Sequence, residues 1–204
     1  MGGKDYQNIK IVEPPNEIVV VEDRFVFHQP ITLIISGKLL SLSTNEFTIK
    51  DTNGMDYFKC NGSMINRVII NDLYDLPILN IRNQILSLKD KITIYRGDDN
   101  KEVLATISQK SILNIKKYTL EFFNQATDKK EFLDLKCDLM GSACGVFYGK
   151  EKDNAPMVCK IVRKIENKSI LASPQESYYV DISPGVDIAI IVAATICFDQ
   201  LKKE

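Results

Sequence analysis

The chain has no tryptophan and a single histidine, His28. The first absence removes the best stacking anchor for nucleic-acid bases. The second excludes a histidine-based catalytic triad and a multi-histidine metal site. Charge of one sign is also missing: 26 basic residues stand against 27 acidic ones, for a net charge of −1. No global field draws the chain to nucleic acid or to an anionic membrane, and no nucleic-acid partner is expected. Five cysteines (Cys60, Cys137, Cys144, Cys159, Cys197) form no C-x-x-C pair. They are read as reduced thiols of a cytoplasmic or nuclear protein. The N-terminal MGGKDYQNIK has no apolar export segment. Gly2 invites acylation, but Tyr6 stands where Ser or Thr is required. Met140–Gly145 lacks the G-K-[ST] ending of a phosphate loop and is read as a turn or bulge. G-x-S-x-G is absent.

What is present is a series of short alternating segments divided by turns. Residues 1–22 form a leader, expected to be partly disordered or an edge strand, with Pro14-Pro15 opposing a helix. Its apolar run Ile18–Val21 suits an edge strand or a docking segment and is a candidate exposed patch. Strands are expected at Ile31–Ile35, Lys38–Ser43, Phe47–Lys50, Tyr57–Cys60, Arg67–Asn71, Ile78–Arg82, Ile92–Tyr95 and Val103–Ile107. Lys117–Phe123, Phe132–Lys136, Val146–Tyr148, Met157–Val162 and Tyr178–Ile182 continue the series. Asn53-Gly54 is the clearest hairpin signal. Asn83–Leu88 reads as a turn or strand, and Leu40-Ser41-Leu42 and Leu86-Ser87-Leu88 hint at internal pseudo-symmetry.

Val186–Leu201 breaks this pattern. It is apolar on every side, and Ile188–Phe198 has only Thr195 as a polar member. A membrane span needs about 20 apolar residues, so this stretch is too short. A helix without a polar face must be covered all round. Ser183 can cap it, Pro184 suits its first position and Asp187 its first turn. Barrels of about eleven or twelve strands are wide enough to hold a helix. The expected fold is mainly β: a closed antiparallel barrel of about twelve strands, residues 23–204, enclosing a helix at about 185–201. Ile188, Ile191, Val192, Ile196 and Phe198 are its expected core.

The segments LSLSTNEFTIKDTNG, FKCNG, DLPILNIRNQILSLKDKITIYRG, IVRK and YVDISPGVDIAIIVAATICFDQL occur in this order between Phe25 and Leu201. Together they resemble the LURP-one-related family, which has the tubby C-terminal-like fold. The resemblance implies a twelve-stranded barrel around an apolar C-terminal helix, and kinship with the phosphoinositide-binding tubby proteins and with phospholipid scramblases. The chain lacks the proline-rich tail and cysteine cluster of scramblases, and it carries Ile92 where many relatives have an aromatic residue.

Little in the sequence suggests catalysis, and the chain is read as a non-enzyme without cofactor or metal. Asp187 and Asp199 lie about 18 Å apart along a helix and cannot share a cation with Asp181. They are read as a dipole partner and a salt-bridged rim residue. The informative polar group is basic: Lys160, Arg163, Lys164 and Lys168, with Lys89, Lys91 and Arg96 as a second set. Lys160 and Lys164 share one face of a strand, and Arg163 takes the other. By analogy with tubby proteins, Lys160, Arg163, Lys164, Lys89 and Arg96 are the candidate binders of an anionic phospholipid headgroup. The expectation is a monomeric intracellular binding module, cytoplasmic, peripheral at a membrane or nuclear. A protein-interaction scaffold in stress or defence signalling is the alternative, and a scramblase-like membrane protein the third reading.

Overall fold

The computed structural model describes residues 5–36, 47–62, 67–83, 91–110, 117–138, 141–166 and 175–203. The segment Lys38–Ser43, the paired L-S-L motifs, Asn83–Leu88 beyond Asn83, Gly2, Lys89 and Lys168 lie outside these residues. Twelve strands follow one another: β1 (Ile31–Ser36), β2 (Phe47–Asp51), β3 (Asp56–Gly62), β4 (Arg67–Asn71), β5 (Pro77–Asn83), β6 (Lys91–Arg96), β7 (Val103–Gln109), β8 (Lys117–Asn124), β9 (Lys129–Cys137), β10 (Ala143–Tyr148), β11 (Met157–Glu166) and β12 (Gln175–Ile182). The helix α1 (Ile188–Lys203) comes after all of them.

Every strand pairs antiparallel with its sequence neighbours, and β1 pairs with β12 from Ile31↔Ile182 to Ser36↔Ser177, so the sheet closes on itself. Closure leaves no sheet edge unpaired. Alternation sends Leu33 and Ile35, Ile92 and Ile94, Leu133 and Leu135 inward, each separated by a residue that faces out. Inside runs α1, and every residue from Ile188 to Phe198 is at most 2% exposed. Thr195 tolerates this because its hydroxyl donates to the Ile191 carbonyl one turn back, at 2.9 Å. No helix of the described residues is long and apolar enough to cross a membrane.

The start of α1 differs from the sequence expectation. Gly185 adopts a left-handed φ of 76° and its N–H bonds to the Phe27 carbonyl, so Pro184-Gly185 is a turn rather than the first helical turn. Ser183 does not cap the helix. Asp187 does, its Oδ1 accepting from the N–H groups of Ala189 (3.0 Å) and Ile190 (3.4 Å). The other oxygen, Oδ2, accepts from the backbone of Val20 (3.1 Å) and Val21 (2.7 Å). One carboxylate therefore ties the leader to the helix cap.

This tie also draws the apolar run of the leader into the core. Ile18–Val21 is not an exposed patch: its members are 0–7% exposed, and Ile18 pairs with Val186. Asn124, at the end of β8, accepts from the Val19 N–H and donates to the Glu17 carbonyl. Further back, Tyr6 is buried on the outer face of β10 against Phe147 and Met157. Gly145 makes this seat, since a Cβ there would meet the Tyr6 ring at 3.0 Å and Met157 Sδ at 2.8 Å.

The cysteine expectation is corrected in part. Cys137 and Cys144 face each other across β9 and β10 and are joined in a disulfide. Their seven-residue spacing says nothing of this until the hairpin register is known. Cys60, Cys159 and Cys197 are free, buried thiols, and burial pushes each thiol pKa up.

Candidate functional site

With its interior filled by α1, the barrel leaves its outer wall and rims for chemistry. The basic residues of β11 lie where alternation predicts, but each is already engaged. Lys160 faces outward opposite Asp181, with Nζ 3.4 Å from its carboxylate and 2.9 Å from the Gln7 carbonyl of the leader. Lys164 Nζ lies 3.9 Å from the centre of the Tyr179 ring. Arg163 is on the opposite face and forms a two-pronged pair with Glu176, which raises its pKa. Arg96, on β6, pairs with Glu102 at 2.9 Å and donates to the Val21 carbonyl at 2.8 Å. β6 and β11 are five places apart in the ring of twelve, almost diametrically opposed. Among the described residues, the two basic sets do not converge.

A different pair of cations does converge. Val68 and Ile70 of β4 face the core, as do Leu79 and Ile81 of β5, so Arg67 and Arg82 face out. The register places them directly opposite one another. Like charges across a strand pair cost stability. Both guanidinium groups reach the same acceptor, the Asp98 carbonyl: Arg67 through Nη2, and Arg82 through Nη2 at 3.5 Å. Asn80, also on β5, holds that acceptor in place by donating to the Gly97 (2.9 Å) and Asp99 (2.7 Å) carbonyls of the β6–β7 turn. Arg82 Nε bonds to Asn80 Oδ1 at 2.9 Å, and its guanidinium packs 5.8 Å from the Tyr95 ring centre. Arg67 Nε is buried and has no acceptor among the described residues. The nearby Asp99 carboxylate is committed to Lys101, whose backbone N–H and ammonium hold its pKa below the usual range. Sequence reasoning missed this pair because it depends on strand register. The available signal was the near-mirror arrangement of Arg67 and Arg82 about the Leu73–Leu76 turn.

Asp187 and Asp199 serve separate contacts at opposite ends of the helix. Asp187 is fully buried. Burial raises its pKa to about 6, while the backbone N–H groups of Val21, Val20, Ile190 and Ala189 pull the other way. Asp199 is buried rather than at the rim surface, and it accepts from the Tyr178 hydroxyl. Burial and Asp199 together push the Tyr178 pKa up. No group of three or more potential metal-ligating side chains occurs among the described residues. His28 has 84% of its side chain exposed, 3.7 Å from Glu17.

The class defined by this arrangement is a closed antiparallel β-barrel plugged by an apolar C-terminal helix. The LURP-one-related family model matches residues 31–199, which span β1 to the last turns of α1, and the chain belongs to that family. It is 29% identical over 194 residues to Protein LURP-one-related 10 of Arabidopsis thaliana, covering 92% of this chain and 98% of that one. It is 26% identical over 193 residues to Protein LURP-one-related 15 of the same plant, covering 91% and 87%. An X-ray structure of an Arabidopsis thaliana protein shares the fold with a TM-score of 0.61 at 19% identity, covering 90% of this chain and 98% of that one.

Proposed function

We propose that the chain is a non-enzymatic binding module that holds an anionic phospholipid headgroup on its outer wall, between Arg67 and Arg82. The observation that carries this reading is the buried Arg67 Nε without an acceptor among the described residues, in a guanidinium directly opposed to a second one. A buried donor on a charged group left unpaired costs about 1–3 kcal/mol, and the facing charges add about 0.2–1 kcal/mol. A phosphate offers the planar, multiply accepting surface that arginine forks match best. Tyr95 and Asn80 shape the site, and Lys160, Arg163, Lys164 and Arg96 act as structural cations. The module works peripherally at a membrane surface. The scramblase-like reading would require α1 to leave the barrel and strip its core.

Co-sedimentation with vesicles tests the proposal. Phosphoinositide vesicles should bind the chain, neutral phosphatidylcholine vesicles should not, and Arg67→Ala with Arg82→Ala should abolish the difference. Equal binding to both vesicle types, or binding indifferent to the two arginines, would overturn it.

A further inference from the structure

The turns β2–β3 and β4–β5 are built alike. In each, an aspartate at the first position accepts from two backbone N–H groups: Asp51 Oδ1 from Asn53 (2.8 Å) and Met55 (2.9 Å), Asp72 Oδ1 from Tyr74 (2.9 Å) and Leu76 (3.0 Å). The same aspartates donate their own N–H to the carbonyls of Met55 and Leu76, both at 2.9 Å. The fourth residue is left-handed in both, Gly54 at φ 84° and Asp75 at φ 64°. These frames hold large apolar side chains in solvent: Met55 is 62% exposed, Tyr74 86% and Leu76 61%. Because β3 pairs with β4, the two turns are neighbours on one rim.

The surroundings are acidic. Glu22, Asp23, Asp51, Asp56, Asp72 and Asp75 stand against Arg24, Lys50 and Lys59, a surplus of three negative charges on a chain whose total is −1. These groups belong together: Arg24 lies 2.6 Å from Glu22 and 3.6 Å from Asp72, and Lys59 lies 2.8 Å from Asp75. Beside the β2–β3 turn opens a cleft of about 570 Å³ lined by Phe27, His28, Asp51, Asn53 and Tyr57 among others. Its aromatic wall is the Phe27–Tyr57 pair, with ring centres 5.8 Å apart. The backbone N–H groups of Met55 and Asn53 hold the Asp51 carboxyl below the usual carboxylate range, so it stays ionised. An aromatic wall beside a fixed carboxylate suits a cationic side chain.

We propose that this rim is a docking surface for a basic, apolar polypeptide segment of a protein partner, with leucine-like side chains on Leu73, Tyr74 and Leu76 and a Lys or Arg in the Phe27–Tyr57 cleft. The surface is distinct from the Arg67–Arg82 site and of opposite charge. An anionic membrane would be repelled by it.

The absence of tryptophan makes a clean test. Tyr74→Trp introduces the only indole in the chain, and its fluorescence reports on the rim alone. The probes are a synthetic Lys/Leu amphipathic peptide and its Glu/Leu counterpart. The Lys/Leu peptide should bind and shift the Trp emission to the blue, and the Glu/Leu peptide should do neither. By calorimetry on the otherwise native chain, Leu73→Ser with Leu76→Ser should weaken binding about tenfold or more. Phe123→Ser, at another exposed apolar residue on β8, should leave it unchanged, as should Arg67→Ala with Arg82→Ala. Unchanged melting of the rim variants confirms that they fold, and Met55→Ser gives an independent loss. No binding of the Lys/Leu peptide, equal binding of both peptides, or binding insensitive to the rim variants would overturn the proposal while leaving the vesicle result untouched.

Discussion

Thr195 and Asp187, inside the barrel wall, and the arginine pair outside it are treated differently. Inside, Thr195 bonds to its own helix, and Asp187 accepts four backbone N–H groups, two from the leader and two from α1. Outside, Arg67 keeps a buried Nε with no acceptor among the described residues while facing another arginine. An interior group without partners has nothing to wait for, so it is only a penalty. A wall group beside solvent can be completed by a ligand. The difference separates the residues that make the barrel from those of the proposed site, and it also separates the two basic regions. β11 carries more cations than β4–β5, but its lysines and arginine are engaged by Asp181, Gln7, Tyr179 and Glu176.

The largest effect belongs to the interior. Ile191→Lys places an unpaired ammonium at a position 1% exposed. Its cost should approach the whole stability of a domain, about 5–15 kcal/mol, and should appear as insoluble expression. Truncation before Pro184 should do the same by emptying the barrel, and a soluble, cooperatively melting truncation would break the comparison.

Asp187→Asn comes next. The amide can replace Oδ1 at the helix cap, but its NH₂ cannot accept from Val20 and Val21. Two orphaned donors predict a loss of about 2–4 kcal/mol by denaturant titration. The same site carries a pH signature. Its folded pKa, about 6, lies above the ordinary 3.8. The stability this shift contributes is present in full below about 3.8 and is lost as pH rises through about 6. The difference in stability between native chain and Asp187→Asn should therefore be larger at the acid end of that window than at neutrality. A difference independent of pH would show that Asp187 does not titrate there.

Gly145→Val should act on the wall without touching the core. It should displace Tyr6 from its seat at a cost of about 1–3 kcal/mol, seen as faster proteolysis of the first dozen residues before any change in global melting. The smallest net stability effect is expected for Arg67→Ala with Arg82→Ala, within about 1 kcal/mol, because relief of the unpaired Nε and of the facing charges is offset by loss of the hydrogen bonds to the Asp98 carbonyl and Asn80. If lipid binding falls there and persists in Lys160→Ala with Lys164→Ala, the contrast between the two basic regions is sharpened.

Much of the architecture was legible because it rests on local rules. Val103–Ile107 or Lys117–Phe123 could be read as strands from alternation. Ile188–Phe198 could be read as an enclosed helix because it offers water nothing, and the family resemblance agreed with both. The helix cap was misread because Ser183-Pro184 is a good start signal in isolation, while the observed start depends on a turn at Gly185 that meets Phe27 from another part of the chain. The same limit hid the Cys137–Cys144 bond, the burial of Ile18–Val21 and the Arg67–Arg82 pair. Each is a contact between segments, and side-chain type carries no trace of a partner's register. Charge density on β11 was visible. That its charges were already matched by Asp181 and Glu176 of β12 was not.

The order of the elements along the chain has a consequence for biosynthesis. The helix that forms the core lies C-terminal to all twelve strands, and β1 finds its second neighbour only when Gln175–Ile182 has been made. Any sheet formed before α1 would have nothing to pack on and two open edges, the arrangement most prone to mispairing. Closure of this barrel requires both α1 and the β1–β12 pairing, which joins the first and last strands of the ring, and non-local pairing of this kind is intrinsically slow. The wall of the barrel is thus complete in sequence before the helix that fills it.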